Sequence, residues 1–164
     1  MGMQLPGELV SILGMLGYDW PASDEEQLFQ LGQLWMEFAP KMEAAGVEAL
    51  ASASSYWQQN QGDAATAFQA WWNGAESPAS ALAQGVPGAS LVGAGLTVCA
   101  GVVLALKIQV IVQLAILAVQ IAVATASAVV TFGASLLQIP IAKIATSLIL
   151  DQLIGMAVEA VLNG

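Results

Sequence analysis

Apolar side chains recur every three or four positions through the first half of the chain, and this spacing predicts amphipathic helices. A short helix is expected from Gly7 to Gly17, where the glycine would end it. A longer helix is expected to begin near residue 24 and to reach Trp57, with Pro40 producing a kink or a break. The apolar seam of this longer helix consists of Leu28, Leu31, Trp35, Phe38 and Met42.

The start of the longer helix carries a capping signal. Ser23 and Glu26 have the spacing of a capping box, and the acidic run 24–26 suits the positive end of a helix. We therefore expect Ser23 to cap the helix. The helix dipole accounts for the three acids without any catalytic role.

A second amphipathic segment follows a polar turn that ends in Gly62. Its bulky residues are Phe68, Trp71 and Trp72. Residues 24–57 and 62–74 are therefore predicted to form an antiparallel helical hairpin. We expect three aromatic side chains of this hairpin to be buried by other helices or by a partner, namely Trp35, Phe38 and Trp57.

The second half of the chain is almost free of charge. Residues 108–142 contain no charged side chain, and as a helix they would exceed the roughly 30 Å hydrocarbon core of a bilayer. Their polar side chains fall on one narrow line, which includes Gln113, Gln120, Ser127 and Thr131 and begins at Gln109. Two interpretations stay open. The segment is either a buried central helix with a thin wet edge, or a lipid-facing helix whose polar line borders a pore or another helix.

The distribution of charge also predicts how the chain is organised. We expect an amphipathic helical hairpin module at residues 1–76, a Pro/Gly linker at 77–88 and a hydrophobic helical module at 89–164. The predicted fold class is all-α, with the helical hairpin followed by long apolar helices packed as an elongated bundle.

Composition argues against several functions. Hydrophobic residues make up 57% of the chain and charged residues 9%, and the formal net charge is −9. With three cations and no His, the chain is not expected to bind nucleic acid or a metal. It has no His to activate a Ser or a Cys, and no glycine-rich phosphate loop with a Lys. We therefore expect neither an enzyme nor a cofactor, and we expect a buried thiol at Cys99, the one cysteine.

Three segments of the chain resemble the WXG family of type VII secretion substrates. The first is Trp20-Pro21-Ala22-Ser23-Asp24-Glu25-Glu26, followed by Leu28, Gly32 and Trp35. The second, an expanded Trp-x-Gly turn with its helix, comprises Trp57, Gly62, Ala64, Ala65 and Phe68. The third is Lys107, then a long aliphatic helix and the stop Thr131-Phe132-Gly133. In this order they are similar to the N-terminal domain of large actinobacterial polymorphic toxins, including that of the mycobacterial outer-membrane channel and toxin protein.

Two features depart from the pattern of that family. The strict Trp-x-Gly motif, Trp72-Asn73-Gly74, lies at the end of the second predicted helix and not in the hairpin turn. Neither Tyr18 nor Tyr56 supplies the family's Tyr-x-x-x-Asp/Glu secretion signal. A partner would therefore have to carry that signal.

The resemblance implies a non-enzymatic module that delivers a toxin through a type VII apparatus. It implies pairing with small helical WXG-type proteins, or with other copies of itself. The seam residues named above, with Trp57, Phe68, Trp71 and Trp72, would form the interface, and the WXG-like turn would comprise Trp57, Gly62, Trp72 and Gly74.

Localisation follows from the same resemblance. The first residues lack the cationic region of a signal peptide, so secretion or attachment to the cell envelope would use another route. The alternative function, suggested by the apolar half, is a membrane-inserting, pore-forming or self-assembling helical protein.

Overall fold

The computed structural model of the protein describes residues 2–163, and over this range it contains helices and no β-strand. The helices are α1 (Gly7–Leu16), α2 (Glu25–Gln59), α3 (Asp63–Trp72), α4 (Pro78–Ser127) and α5 (Gln138–Asn163). A short 3₁₀ helix, Ala134–Leu137, precedes α5. The predicted all-α class is confirmed. The chain divides into two compact units, one formed by residues 1–28 with 98–164 and the other by residues 29–97.

Local interactions explain where α1 ends and where α2 begins. Gly17 ends α1 in the left-handed conformation, with a φ of 83°, as the sequence predicted. The residue that caps α2 is Asp24, whose Oδ1 accepts hydrogen bonds from the backbone N–H groups of Glu26 and Gln27, each at 3.1 Å. The bond from Gln27 is the main reason that the pKa of Asp24 is lowered. Our expectation that Ser23 caps this helix was wrong, because α2 begins at Glu25 and Asp24 therefore occupies the N-cap position.

In the unit of residues 29–97, α2 and α4 pack antiparallel through a close backbone contact. A Cβ atom added at Gly32 would lie 2.9 Å from the carbonyl oxygen of Gly93, and one added at Gly93 would lie 2.8 Å from that of Gly32. Further along, a Cβ atom at Gly85 would lie 2.6 Å from Cε of Met42. The contacts run backwards along α4 as they advance along α2, which defines the antiparallel order.

Small residues at a seven-residue spacing form the buried face of α2. This face consists of Gly32, Ala39, Gly46 and Ala53, of which Gly46 is half-buried and the others are buried. The large apolar residues that we expected to form the seam lie beside this face. Close backbone approach at glycine leaves little room for large side chains between the two helices, so those residues project elsewhere.

The short helix α3 folds back on the end of α2 and forms the predicted hairpin. The ring of Phe68 lies 5.3 Å from that of Tyr56 and 5.8 Å from that of Trp57, measured between centroids. Gly62 makes the turn with a φ of 113°, which side-chain-bearing residues rarely adopt. Upstream of this turn α2 continues through Pro40, so of the two expected outcomes, a kink or a break, the break does not occur.

Residues 78–88 are helical and form the first turns of α4, where a Pro/Gly linker was expected. Pro78 is the first residue of the helix, a position where the missing backbone N–H costs nothing. Ser77 precedes it and its Oγ accepts a hydrogen bond from the N–H of Ser80 at 3.1 Å. The compact units also divide the chain at other places than the predicted modules 1–76 and 89–164. Whether those modules act separately stays a prediction.

In the other unit, α1 packs on the antiparallel pair formed by the later part of α4 and α5. Its buried core contains Leu9 and Leu13 of α1, Val110 and Leu114 of α4, and Leu150 of α5. Between α4 and α5, Ser135 Oγ donates a hydrogen bond to the carbonyl oxygen of Ala124 at 2.7 Å.

A tyrosine also ties the segment after α1 to α5. The Tyr18 hydroxyl lies 2.6 Å from Asp151 Oδ1 and 3.1 Å from the carbonyl oxygen of Ser147. The hydrogen bond to the Asp151 carboxylate raises the pKa of Tyr18, because ionising the phenol would remove the donated proton.

We predict that Gly93→Ala lowers the free energy of unfolding by about 1–3 kcal/mol, because the new methyl group has no room against the Gly32 backbone. Gly88→Ala is the matched control on the same helix, since an added Cβ there meets nothing within 4 Å. That control should gain about 0.5–1 kcal/mol from the better helix former. Urea unfolding followed by circular dichroism measures both, and equal effects of the two substitutions would contradict the close contact.

Candidate interaction surfaces

An apolar stripe on α2 is open to solvent in this chain. The stripe consists of Leu31 (45% exposed), Leu34 (60%), Trp35 (36%) and Phe38 (47%). Its residues have the i, i+3, i+4, i+7 spacing of one helix face. The rings of Trp35 and Phe38 meet edge to face, 5.9 Å between centroids, and so form one continuous apolar surface. We call these four residues the α2 stripe.

The expected burial of Trp35 and Phe38 by other helices of the chain was wrong. Both are exposed because α2 turns its small-residue face towards α4. Their burial by a partner stays a prediction. Leu28, Met42, Trp57, Phe68 and Trp72 are half-buried, and Trp71 is 54% exposed.

The aromatic residues of the WXG-like motifs gather around one ring. Phe68 lies at the centre, with Trp57, Trp71 and Trp72 at centroid distances of 5.8, 6.0 and 6.0 Å. The glycines of the predicted WXG-like turn lie in two turns, Gly62 before α3 and Gly74 between α3 and α4. The structure therefore brings Trp57 and Trp72 together and separates the two glycines.

A groove of about 580 Å³ lies beside the strict Trp-x-Gly motif. One wall comes from α2 between Met42 and Leu50, and the other from residues 72–87. Trp72 lines it, and its Nε1 is buried with no hydrogen-bond partner among the described residues. In addition to the α2 stripe, this unit therefore has an apolar groove.

The polar line of α4 lies partly in a groove between α4 and α5. Gln113 and Gln120 line this groove of about 530 Å³, opposite Gln138 and Thr146 of α5. Gln109 is exposed, and the hydroxyls of Ser127 and Thr131 donate to backbone carbonyl oxygens. Only part of the line therefore lies between the two helices, and any role in conduction stays a prediction.

A buried ion pair, which the sequence did not reveal, joins the start of α2 to α4. The side chain of Lys107 is 2% exposed, and its Nζ lies 2.8 Å from Glu25 Oε2 and 2.6 Å from the carbonyl oxygen of Ser23. Nζ also lies 5.7 Å from the centre of the Trp20 ring. Glu25 Oε1 accepts a hydrogen bond from the backbone N–H of Met3. These partners hold residues 3–25 against α4.

The ion pair keeps Glu25 ionised to low pH. Burial raises the pKa of its carboxyl, but the hydrogen bonds from Lys107 and from the Met3 N–H outweigh burial and lower the pKa to about 2. Lys107 and Glu25 are 82 residues apart in sequence, so no local motif could have indicated the pair. The charges of Lys107 and Glu25 neutralise one another, and this suits a structural role for the pair and not a catalytic one.

Among the described residues, no group of three His, Cys, Asp or Glu side chains could hold a metal ion. The half-buried thiol of Cys99 is free. The molecule's prominent features are therefore apolar surfaces on helices, the arrangement of an all-α protein that assembles through helix faces.

Comparison with known families identifies the class more closely. The family model described as the WXG100-like domain matches residues 4–148, so the chain belongs to that family. No match was found among curated proteins or among solved structures. Membership relates this helical protein to type VII secretion, a route independent of a signal peptide. Domains of this family typically form helical dimers with partners or with themselves.

We predict that Lys107→Met lowers the free energy of unfolding by about 3–5 kcal/mol, because it leaves the Glu25 carboxylate buried without its cation. The double variant Lys107→Met, Glu25→Gln should be more stable than Lys107→Met alone, since neither member is then charged. Lys41→Met, at an exposed lysine of α2, is the control. Chemical denaturation of the native chain, Lys107→Met, Glu25→Gln and the double variant measures the coupling, and additive effects of the two substitutions would exclude it.

The pH dependence of stability provides a separate prediction. The lowered pKa of Glu25 means that its contribution is fully present above about pH 4.5 and is lost as the pH falls towards about 2. We expect the free energy of unfolding to fall over this interval, and Glu25→Gln should abolish that fall. Denaturation midpoints measured between pH 2 and 6 test it, with Glu48→Gln as the exposed control.

Proposed function

We propose that this protein is the non-enzymatic delivery module of a type VII secretion substrate, of the kind that forms the N-terminal domain of actinobacterial polymorphic toxins. In this proposal the α2 stripe binds a small helical WXG-type partner. The exposed stripe is the observation that carries the proposal, because four large apolar side chains on one helix face are left uncovered by the chain itself.

The charges beside the stripe favour a different protein over a second copy as its partner. Glu37, Glu43 and Glu48 are exposed on α2, where Lys41 is the one cation. Two copies of a chain of net charge −9 would bring like charges together. A partner helix with an apolar stripe flanked by Lys or Arg would complement this surface.

The proposal also accounts for the missing secretion signal. Neither Tyr18 nor Tyr56 has an acidic residue four positions later. In this interpretation the bound partner supplies the signal, so export of this chain depends on pairing. The absence of His from the sequence supports a role in binding and delivery over catalysis.

We predict that the double substitution Leu34→Asp, Phe38→Asp abolishes both co-purification with the partner and export. The chain is expressed with an epitope tag, together with a small Trp-x-Gly protein encoded beside it, in an actinobacterium with an active type VII apparatus. Export of the double variant should fall at least tenfold, because two buried carboxylates would disrupt the helix interface. Immunoblots of culture filtrate and cell lysate measure the ratio.

Val10→Asp is the matched control, since Val10 is also exposed, at 55%, but lies on α1. It should leave pairing and export unchanged. Unchanged export from a strain that lacks the secretion ATPase would contradict the type VII route. Normal export with loss of pairing would contradict the dependence on a partner.

A further inference from the structure

The connection between α4 and α5 presents a fully exposed apolar tip. The tip consists of Val129 (86% exposed), Val130 (81%), Phe132 (99%) and Leu137 (71%). Phe132 has a φ of 51°, in the left-handed region that bulky side chains rarely adopt. A strained backbone that holds a phenyl ring in solvent gives the isolated chain no packing in return, which indicates that something else covers the ring.

The hydroxyl groups around the tip are satisfied within the helices themselves. Thr125 and Ser127 donate to the carbonyl oxygens of Ile121 and Val123, both at 2.7 Å. Thr131 donates to the carbonyl of Ser127 at 2.9 Å, and Ser135 to that of Ala124 at 2.7 Å. No hydroxyl between residues 121 and 137 therefore needs water, a condition that hydrocarbon imposes and that a wet protein interface does not.

Charge is also absent from this end of the helix pair. Residues 108–142 contain no Asp, Glu, Lys or Arg, so the first charges on either side of the tip are Lys107 and Lys143. The two helices, Pro78–Ser127 and Ala134–Asn163, are each long and apolar enough to cross a membrane. A protein partner would usually find charged residues on the rim of its site, and here the rim is apolar.

The other polar side chains near the tip are glutamines, of which Gln120 and Gln138 are exposed. Together with Gln113 they line the groove between α4 and α5. The outer face of α4 is apolar, with Val119 63% and Val123 62% exposed. Apolar surface therefore continues from the tip along the helix.

We propose that this tip docks into the acyl region of a lipid bilayer, with Phe132 and Val130 entering first. The lipid is uncharged, because a chain of net charge −9 is repelled by an anionic surface. Docking by the tip is independent of the α2 stripe and of the type VII route, and it requires no pore.

The test is flotation of the purified full chain with phosphatidylcholine vesicles. The native chain should float with the vesicles, and the double variant Val130→Glu, Phe132→Glu should bind at least tenfold more weakly. Val10→Glu, at a 55% exposed site on α1, should bind like the native chain. Replacing half of the lipid with anionic phosphatidylglycerol should weaken binding of the native chain at low salt.

Two further measurements keep the result decisive. Circular dichroism shows whether the variants keep their helices, and light scattering without lipid shows whether the tip joins copies of the chain. A native chain that does not float, or a tip variant that floats equally well while folded, overturns the proposal. Native oligomers that the two glutamates dissociate, without any lipid binding, assign the tip to a contact between copies and overturn it as well.

Discussion

The close contact between Gly32 of α2 and Gly93 of α4 determines which residues of α2 face outwards. Each glycine leaves less than 3 Å for a Cβ atom against the other's carbonyl oxygen, so the two backbones touch where side chains would usually interdigitate. Small residues therefore occupy the shared face, and the bulky Trp35 and Phe38 point to solvent. The uncovered apolar surface is thus a consequence of how the helices pack and not of a poorly formed core.

The unit of residues 1–28 and 98–164 differs in that it buries a cation, Lys107, among apolar helices. Lys107 would be costly in this position without a counter-ion, and Glu25, the Ser23 carbonyl and the Trp20 ring together compensate it. These groups come from one short segment, so the ion pair also fixes that segment on α4. The core residues Leu9 and Leu13 precede it and extend the same contact.

Hydrophobic periodicity predicted the helices well and their pairing poorly. It located α1 with its Gly17 terminus and the α2–α3 hairpin, because these depend on neighbours in sequence. It assigned the seam to large residues such as Trp35, since a hydrophobicity pattern gives little weight to Gly32 and Ala39. Their seven-residue spacing with Gly46 and Ala53 was visible in the sequence and was the missed signal. The pairing of Glu25 with Lys107 had no such signal, because only the tertiary fold brings them together.

The α2 stripe and the apolar tip between α4 and α5 differ in charge, and this difference favours a different binding partner for each. The α2 stripe lies on a helix that also exposes Glu37, Glu43 and Glu48, and these charges can select a partner and orient it. The tip has no charged residue within the whole of 108–142 and no hydroxyl that lacks an internal acceptor between residues 121 and 137. A surface without charge and without an unbonded hydroxyl offers little to select one protein partner over another, and it suits contact with hydrocarbon. The two proposed contacts, of α2 with a helical protein and of the α4–α5 connection with lipid, therefore use different residues and do not compete.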